Sequence, residues 1–163
     1  MAIEQTFVMV KPDGVARGLI GEVLKRFEQR GLKIVAMKLV NVNEDHAKQH
    51  YTEDIAERHG EHVRNSLVKY VTRGPVVAMI IEGVEAIKVV RKIVGSTFPG
   101  DADLGTIRGD FCHMSMAYVK ENDKGDNIIH ASADEADAKS EIALWFSVDE
   151  IHDYRRLTDE TAL

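Results

Sequence analysis

Apolar positions along this chain fall into short dense runs that alternate with helical stripes. Thr6-Phe7-Val8-Met9-Val10 is a β-branched and apolar run closed by Lys11-Pro12-Asp13-Gly14. It predicts a buried strand ending in a turn, where proline presets φ and glycine is free to take φ > 0. Leu19, Ile20, Val23, Leu24 and Phe27 then recur as one face of a helix that stops at Gly31. Leu32 to Val42 reads as a second strand, with Leu32, Ile34, Ala36 and Val40 alternating with Lys33 and Lys38, although Val35 and Met37 blur the pattern. Helical stretches follow at about Glu44 to Glu57 and His62 to Thr72, parted by His59-Gly60. Pro75 to Ile81 is a third, strongly apolar strand, and Val84 to Val94 is helical with Ile87, Val90 and Val94 inward. Gly95 to Gly109 is irregular, and a loop of that length in a compact domain is usually functional. Phe111 to Val119 predicts the last core strand, Lys120 to Asp126 a charged solvated loop, and the tail from Ser147 a packing or subunit-contact segment.

The order β-α-β-(αα)-β-α-β plus a C-terminal helix predicts an α/β (α+β) fold. It is a ferredoxin-like βαββαβ sandwich, with a four-stranded antiparallel sheet covered by helices on one face. A length of 163 residues suits a single domain. The net charge of −6 argues against general nucleic-acid binding, which draws on counterion release by a basic surface, but leaves room for a nucleotide in a small basic pocket. The single cysteine, Cys112, excludes an internal disulfide and a Cys-rich zinc site and is expected to be a buried small apolar residue. No apolar run approaches the ~18 residues of a membrane span, and no signal peptide is recognisable. The expectation is therefore a cytoplasmic protein with no membrane partner.

The candidate chemistry centres on Asn127-Ile128-Ile129-His130-Ala131-Ser132 and on Glu141, eleven residues past the histidine in an acidic helical stretch. An imidazole keeps a free lone pair near neutral pH and can act as a nucleophile, and a carboxylate on a rigid helix could hold its other ring nitrogen. There is no G-x-x-x-x-G-K-[ST], no G-x-G-x-x-G and no protein-kinase signature set. His46 and His50, one helical turn apart, lack the third ligand of a metal site, and His59 and His62 sit in a polar connector. Phosphate-friendly residues remain in separate segments: Lys11, Arg91, Thr97, Arg108 and Asn127. Phosphoryl transfer needs such cations and donors around an in-line nucleophile, although spacing alone does not bring them together.

Phe7 to Gly14, Arg17 to Gly21, Gly105 to Phe111 and Asn127 to Ser132 closely resemble nucleoside diphosphate kinase, in the family's order and over about Glu4 to Tyr154. The resemblance implies one such domain over residues 1–163. It implies ping-pong transfer of a γ-phosphate from a nucleoside triphosphate, typically ATP, to a nucleoside diphosphate, with Mg²⁺ carried mainly on the nucleotide phosphates and no direct protein ligand. On matching positions, His130 becomes phosphorylated, Glu141 orients its other nitrogen, and Ser132 is hydrogen-bonded nearby. Lys11 and Tyr51 sit beside the transferring phosphate. Arg91, Thr97 and Arg108 hold the nucleotide phosphates, Asn127 reaches the ribose with Lys11, and Leu67 lines the base slot. Homo-oligomers are implied, with a hexamer favoured over a tetramer or dimer. The rival reading is a catalytically idle nucleotide sensor or scaffold of the same fold.

The chain departs from the family's pattern in places. Val63, by counting back from Leu67, replaces a stacking aromatic, so weaker base binding is expected. Ala133 stands where an Asp is usual, and His113 to Asp126 is longer than in relatives.

Overall fold

A computed structural model describes residues 3–122, 125–157 and 159. The central strands β1 (Ile3–Val10) and β3 (Pro75–Val84) are apolar on both faces, and that composition decides the architecture. Val8 and Val10 of β1 join Val77, Met79 and Ile81 of β3 in one cluster, while Phe7 and Met9 join Val76, Ala78 and Ile80 in another. A sheet apolar on both sides must be covered on both, so helices pack on both faces and not on one as the element order suggested. On the first lie α2 (Ile20–Gln29), through Val23 and Phe27, and α6 (Ala86–Val94), through Ala86, Val90 and Val94. On the second lie α3 (Glu44–His50), α5 (Glu61–Thr72) and α9 (Glu135–Trp145), with α4 (Glu53–His59) set against α5.

The sheet is antiparallel throughout, with β2 (Lys33–Asn41) and β4 (Ile129–Ala131) on its edges, in the order β2-β3-β1-β4. In β2 (Lys33–Asn41) a register shift between Ile34 and Ala36 lets Val35 and Ala36 both turn inward, which is why the alternation is blurred there. After β1 the expected turn is a short helix, α1 (Pro12–Ala16), with proline in its first turn. The predicted helix over Glu44 to Glu57 breaks in two at Tyr51-Thr52.

The last strand is misplaced in the sequence reading. Thr106 caps a short helix, α7 (Ile107–Phe111), by accepting from the Gly109 amide at 3.0 Å. Residues 112–115 follow without regular structure, and the stretch ends in α8 (Met116–Asn122), none of whose residues is buried. The fourth strand is β4 (Ile129–Ala131), where Ile129 and Ala131 reach the first core and pair with Val10 and Val8. Lys120 to Asn122 of the expected charged loop close α8, and Asp123 and Lys124 lie outside the described residues. Cys112 is half-buried against the first core.

The α7 turn sits tightly on the loop before it: a Cβ on Gly109 would lie 2.1 Å from the Asp103 carbonyl oxygen. Gly109→Ala must push α7 away, and overpacking of this kind costs about 1–3 kcal/mol. Thermal unfolding should show a clear drop in Tm; an unchanged Tm would mean that the loop gives way freely.

Candidate active site

Register aims the histidine. His130 pairs with Met9 across β1 and β4, so it shares Met9's face of the sheet, the face covered by α3, α5 and α9. From α9, Glu141 Oε1 lies 2.7 Å from His130 Nε2. An ionised carboxylate can only accept, so Nε2 carries the ring proton and Nδ1 is left with its lone pair. The Ser132 hydroxyl donates to the other carboxylate oxygen at 2.6 Å and accepts from the Phe7 amide at 3.3 Å, tying Glu141 back to the sheet. Burial raises the Glu141 pKa, with His50 and the Ser132 hydrogen bond opposing the rise.

Cations also gather around the histidine. Lys11, at the end of β1, is buried rather than solvated, and its ammonium donates to Asn127 Oδ1 at 2.9 Å. Burial, then Arg108, pulls its pKa down to about 7. Asn127 donates from Nδ2 to the Thr97 carbonyl at 3.0 Å, which carries the 95–109 loop to the site. Arg108 is also buried, and its guanidinium donates to the carbonyls of Gly95, Ser96, Asn127 and Ile129. It braces the loop against the strand that carries His130 and has little donor capacity left over. Burial, then Arg91, lowers its pKa to about 10. Arg91 is exposed on α6 and reaches the Ala131 carbonyl at 3.4 Å. Tyr51 is buried with a hydroxyl that has no partner among the described residues, and burial raises its pKa. Val63 and Leu67 are half-buried one turn apart on α5. An open groove of about 860 Å³ runs past Lys88, Arg91, Lys92, Ser96 and Thr106, with none of Val63, Leu67 or His130 in its lining.

His50 was missed by the sequence reading, which weighed it only as half of a metal pair. Its ring packs edge-on at 4.7 Å from that of His130, and its Nδ1 accepts from the Trp145 indole at 3.3 Å. The one sequence signal is its place beside Tyr51. Among the described residues, His50, His130 and Glu141 are the only His, Cys, Asp or Glu group close enough to share an ion. Two imidazoles and one carboxylate already hydrogen-bonded do not suit Mg²⁺, which demands oxygen ligands.

Residues 4–151 match the nucleoside diphosphate kinase family. The chain belongs to that family. Among its relatives, the nucleoside diphosphate kinase of Borreliella burgdorferi is 52% identical over 160 residues, covering 96% of this chain and 95% of that one. Human nucleoside diphosphate kinase B is 47% identical over 153 residues, covering 94% and 92%. Among solved structures, a transition state mimic of the Borrelia burgdorferi enzyme with bound vanadate and ADP superposes with a TM-score of 0.93 at 51% identity, over 96% of this chain and 95% of that one. A halophilic nucleoside diphosphate kinase from Halobacterium salinarum in complex with CDP gives 0.86 at 41% identity, over 99% of each. A nucleoside diphosphate kinase is a phosphotransferase acting on nucleotides, and the idle reading is not favoured. No helix among the described residues is long and apolar enough to cross a membrane.

Both histidines at this site are held neutral by their surroundings. Burial, then Lys11, Arg108 and Arg91, holds the His130 pKa well below 6.5, and burial with His130 lowers that of His50 to about 3. The unfolded chain therefore binds protons below pH 6.5 that the folded chain refuses, so stability falls as the pH drops through that window. ¹⁵N NMR of the His130 ring at pH 7 should show a proton on Nε2 and a bare Nδ1, with no titration near 6.5. A proton on Nδ1, or an ordinary titration, would contradict the geometry.

Proposed function

We propose that this chain exchanges γ-phosphates between nucleoside triphosphates and diphosphates through a phosphohistidine at His130. One observation carries the reading: Glu141 occupies Nε2 at 2.7 Å and leaves Nδ1 as the only ring nitrogen with a lone pair to give. In the first half-reaction Nδ1 attacks the γ-phosphorus in line with the β,γ-bridging oxygen. The N–P bond forms as the P–O bond breaks, and the diphosphate leaves with the bond's electrons. In the second, a terminal oxygen of another diphosphate attacks the same phosphorus and the imidazole departs. Because the ring gains positive character when phosphorylated, Glu141 stabilises it, and Ser132 keeps Glu141 in place.

Lys11 faces the charge that develops on the phosphoryl oxygens. With its pKa at about 7 in the free protein, an arriving phosphate raises the proton affinity of the amine and so secures the cation where it is needed. The unpartnered Tyr51 hydroxyl supports a donor to the same group. Arg91 and Thr97, both exposed at the rim, support contacts to the nucleotide's phosphates, to which Arg108 adds mainly by bracing the loop. Asn127 and Lys11, already joined, support a ribose contact, and Val63 and Leu67 one wall of a base slot. Mg²⁺ enters as part of the nucleotide substrate. The vanadate and ADP bound in the Borrelia relative support the same chemistry. Exposed Met37 and Leu39 on the edge strand β2 support self-association, with a hexamer favoured, and the whole chain is read as one cytoplasmic domain.

The test is a phosphoenzyme trap. Wild type incubated with Mg²⁺ and γ-labelled ATP should acquire an acid-labile, alkali-stable label that passes to added GDP. His130→Ala should acquire none and lose steady-state activity by more than ~10³-fold. A nucleotide-binding wild type that stays unlabelled would sink the proposal.

A further inference from the structure

Two residues that the mechanism above does not use converge on the backbone just before the nucleophile. Ile128 has φ of +70°, a left-handed conformation that is a genuine outlier for a β-branched residue. Its side chain is fully buried in the first core, so packing asks for isoleucine where the backbone asks for glycine. The polar groups of this turn are held one by one. The Ile128 amide donates to Asp13 Oδ2 at 3.0 Å, and the Asn127 amide donates to the Tyr70 hydroxyl at 3.1 Å. The Tyr70 hydroxyl in turn donates to Asp13 Oδ1 at 2.5 Å. The Ile128 carbonyl accepts from the Lys11 amide at 2.7 Å, and the Asn127 carbonyl from Arg108. Gly14 leaves the necessary room, since a Cβ there would lie 3.0 Å from the Ile128 carbonyl oxygen.

We propose that Asp13 and Tyr70 are positioning residues, a buried latch that holds the strained Ile128 turn so that Asn127 and His130 keep their places on either side of it. The latch rests on the reading of His130 as nucleophile. Asp13 comes from α1 and Tyr70 from α5, 57 residues apart in the chain, and both are buried. Burial and the neighbouring Asp13 raise the Tyr70 pKa, so the hydroxyl stays a donor at every working pH. Its ring has a second task, with the Lys11 ammonium 4.9 Å and the Arg73 guanidinium 4.5 Å from its centre. The hydroxyl is Tyr70's whole part in the latch, and Tyr70→Phe removes that part while leaving the ring under both cations and the Asp13 bond to the Ile128 amide in place. Released, Ile128 relaxes towards an allowed conformation. The turn rotates, and Nδ1 leaves the line of attack.

The experiment is rapid-quench labelling of His130 by saturating Mg²⁺ and γ-labelled ATP, in wild type, Tyr70→Phe and Asp13→Asn. It is paired with ADP affinity by calorimetry and with Tm. Both variants should lower the phosphorylation rate constant by about tenfold or more, because a small misplacement of a nucleophile is costly. ADP affinity, which also draws on the Asn127 ribose contact that the latch holds, should fall by less than the rate constant does, since the exposed phosphate contacts at Arg91 and Thr97 are untouched. The ¹⁵N signals of the His130 ring should also shift. Ile81→Val, a core change opposite Thr6 and four pairs along the sheet from Val10, sets the baseline for lost stability alone. Rate constants within about twofold of wild type, with a lowered Tm and unmoved ring signals, would reduce the pair to a structural role and overturn the proposal. Should Asp13→Asn fail to fold, Tyr70→Phe decides. A wild type that never labels His130 overturns the nucleophile reading and the latch with it, a result distinct from labelling at undiminished rate.

Discussion

One hydrogen bond sets the terms of this site. The carboxylate of Glu141 takes Nε2 of His130 at 2.7 Å, and a neutral imidazole with its proton fixed on one nitrogen has its nucleophilic lone pair on the other. The surrounding structure serves to keep that bond. Trp145, one turn beyond Glu141 on α9, stacks on Phe7 of β1 at 5.2 Å, so the helix is docked on the sheet beside the histidine's strand. Ser132 closes the ring by linking Glu141 to the Phe7 backbone. The same aromatic group encloses His50, which Trp145 and the second core hold neutral against the His130 ring.

The electrostatics oppose protonation from every side but one. Burial disfavours a cationic His130 most, and Lys11, Arg108 and Arg91 add to it, so the ring rests as a neutral base. Those same cations have the sign that a phosphoryl group needs. Lys11 carries the cost most visibly, its pKa pulled to about 7 by a burial that an incoming anion offsets. The free site is thus somewhat unfavourable on its own, and the substrate's charge completes it.

Much of this could be read from the chain, and what could not has identifiable causes. The central strands were legible because Phe7 to Val10 and Val76 to Ile81 are apolar without interruption. That same feature signalled a sheet covered on both sides, which the order of elements alone obscured. The fourth strand was not legible. Ile129–Ala131 is three residues long and exists through its pairing with β1, whereas Phe111 to Val119 has the better local pattern and folds elsewhere. His130 and Glu141 stood out through the resemblance. His50 did not, because the tryptophan that fixes its tautomer lies 95 residues away. Asp13 reads as turn chemistry and Tyr70 as helix, and only the fold brings both to Ile128.

The most direct test is to ask which ring nitrogen carries the phosphoryl group. Phosphoenzyme prepared with uniformly ¹⁵N-labelled protein and held at alkaline pH would be examined for ³¹P–¹⁵N coupling in the His130 ring. Coupling to Nδ1, with the proton retained on Nε2 against Glu141, is the predicted result. Coupling to Nε2 would mean that the Glu141 hydrogen bond breaks before chemistry, and would contradict the geometry from which the mechanism is derived.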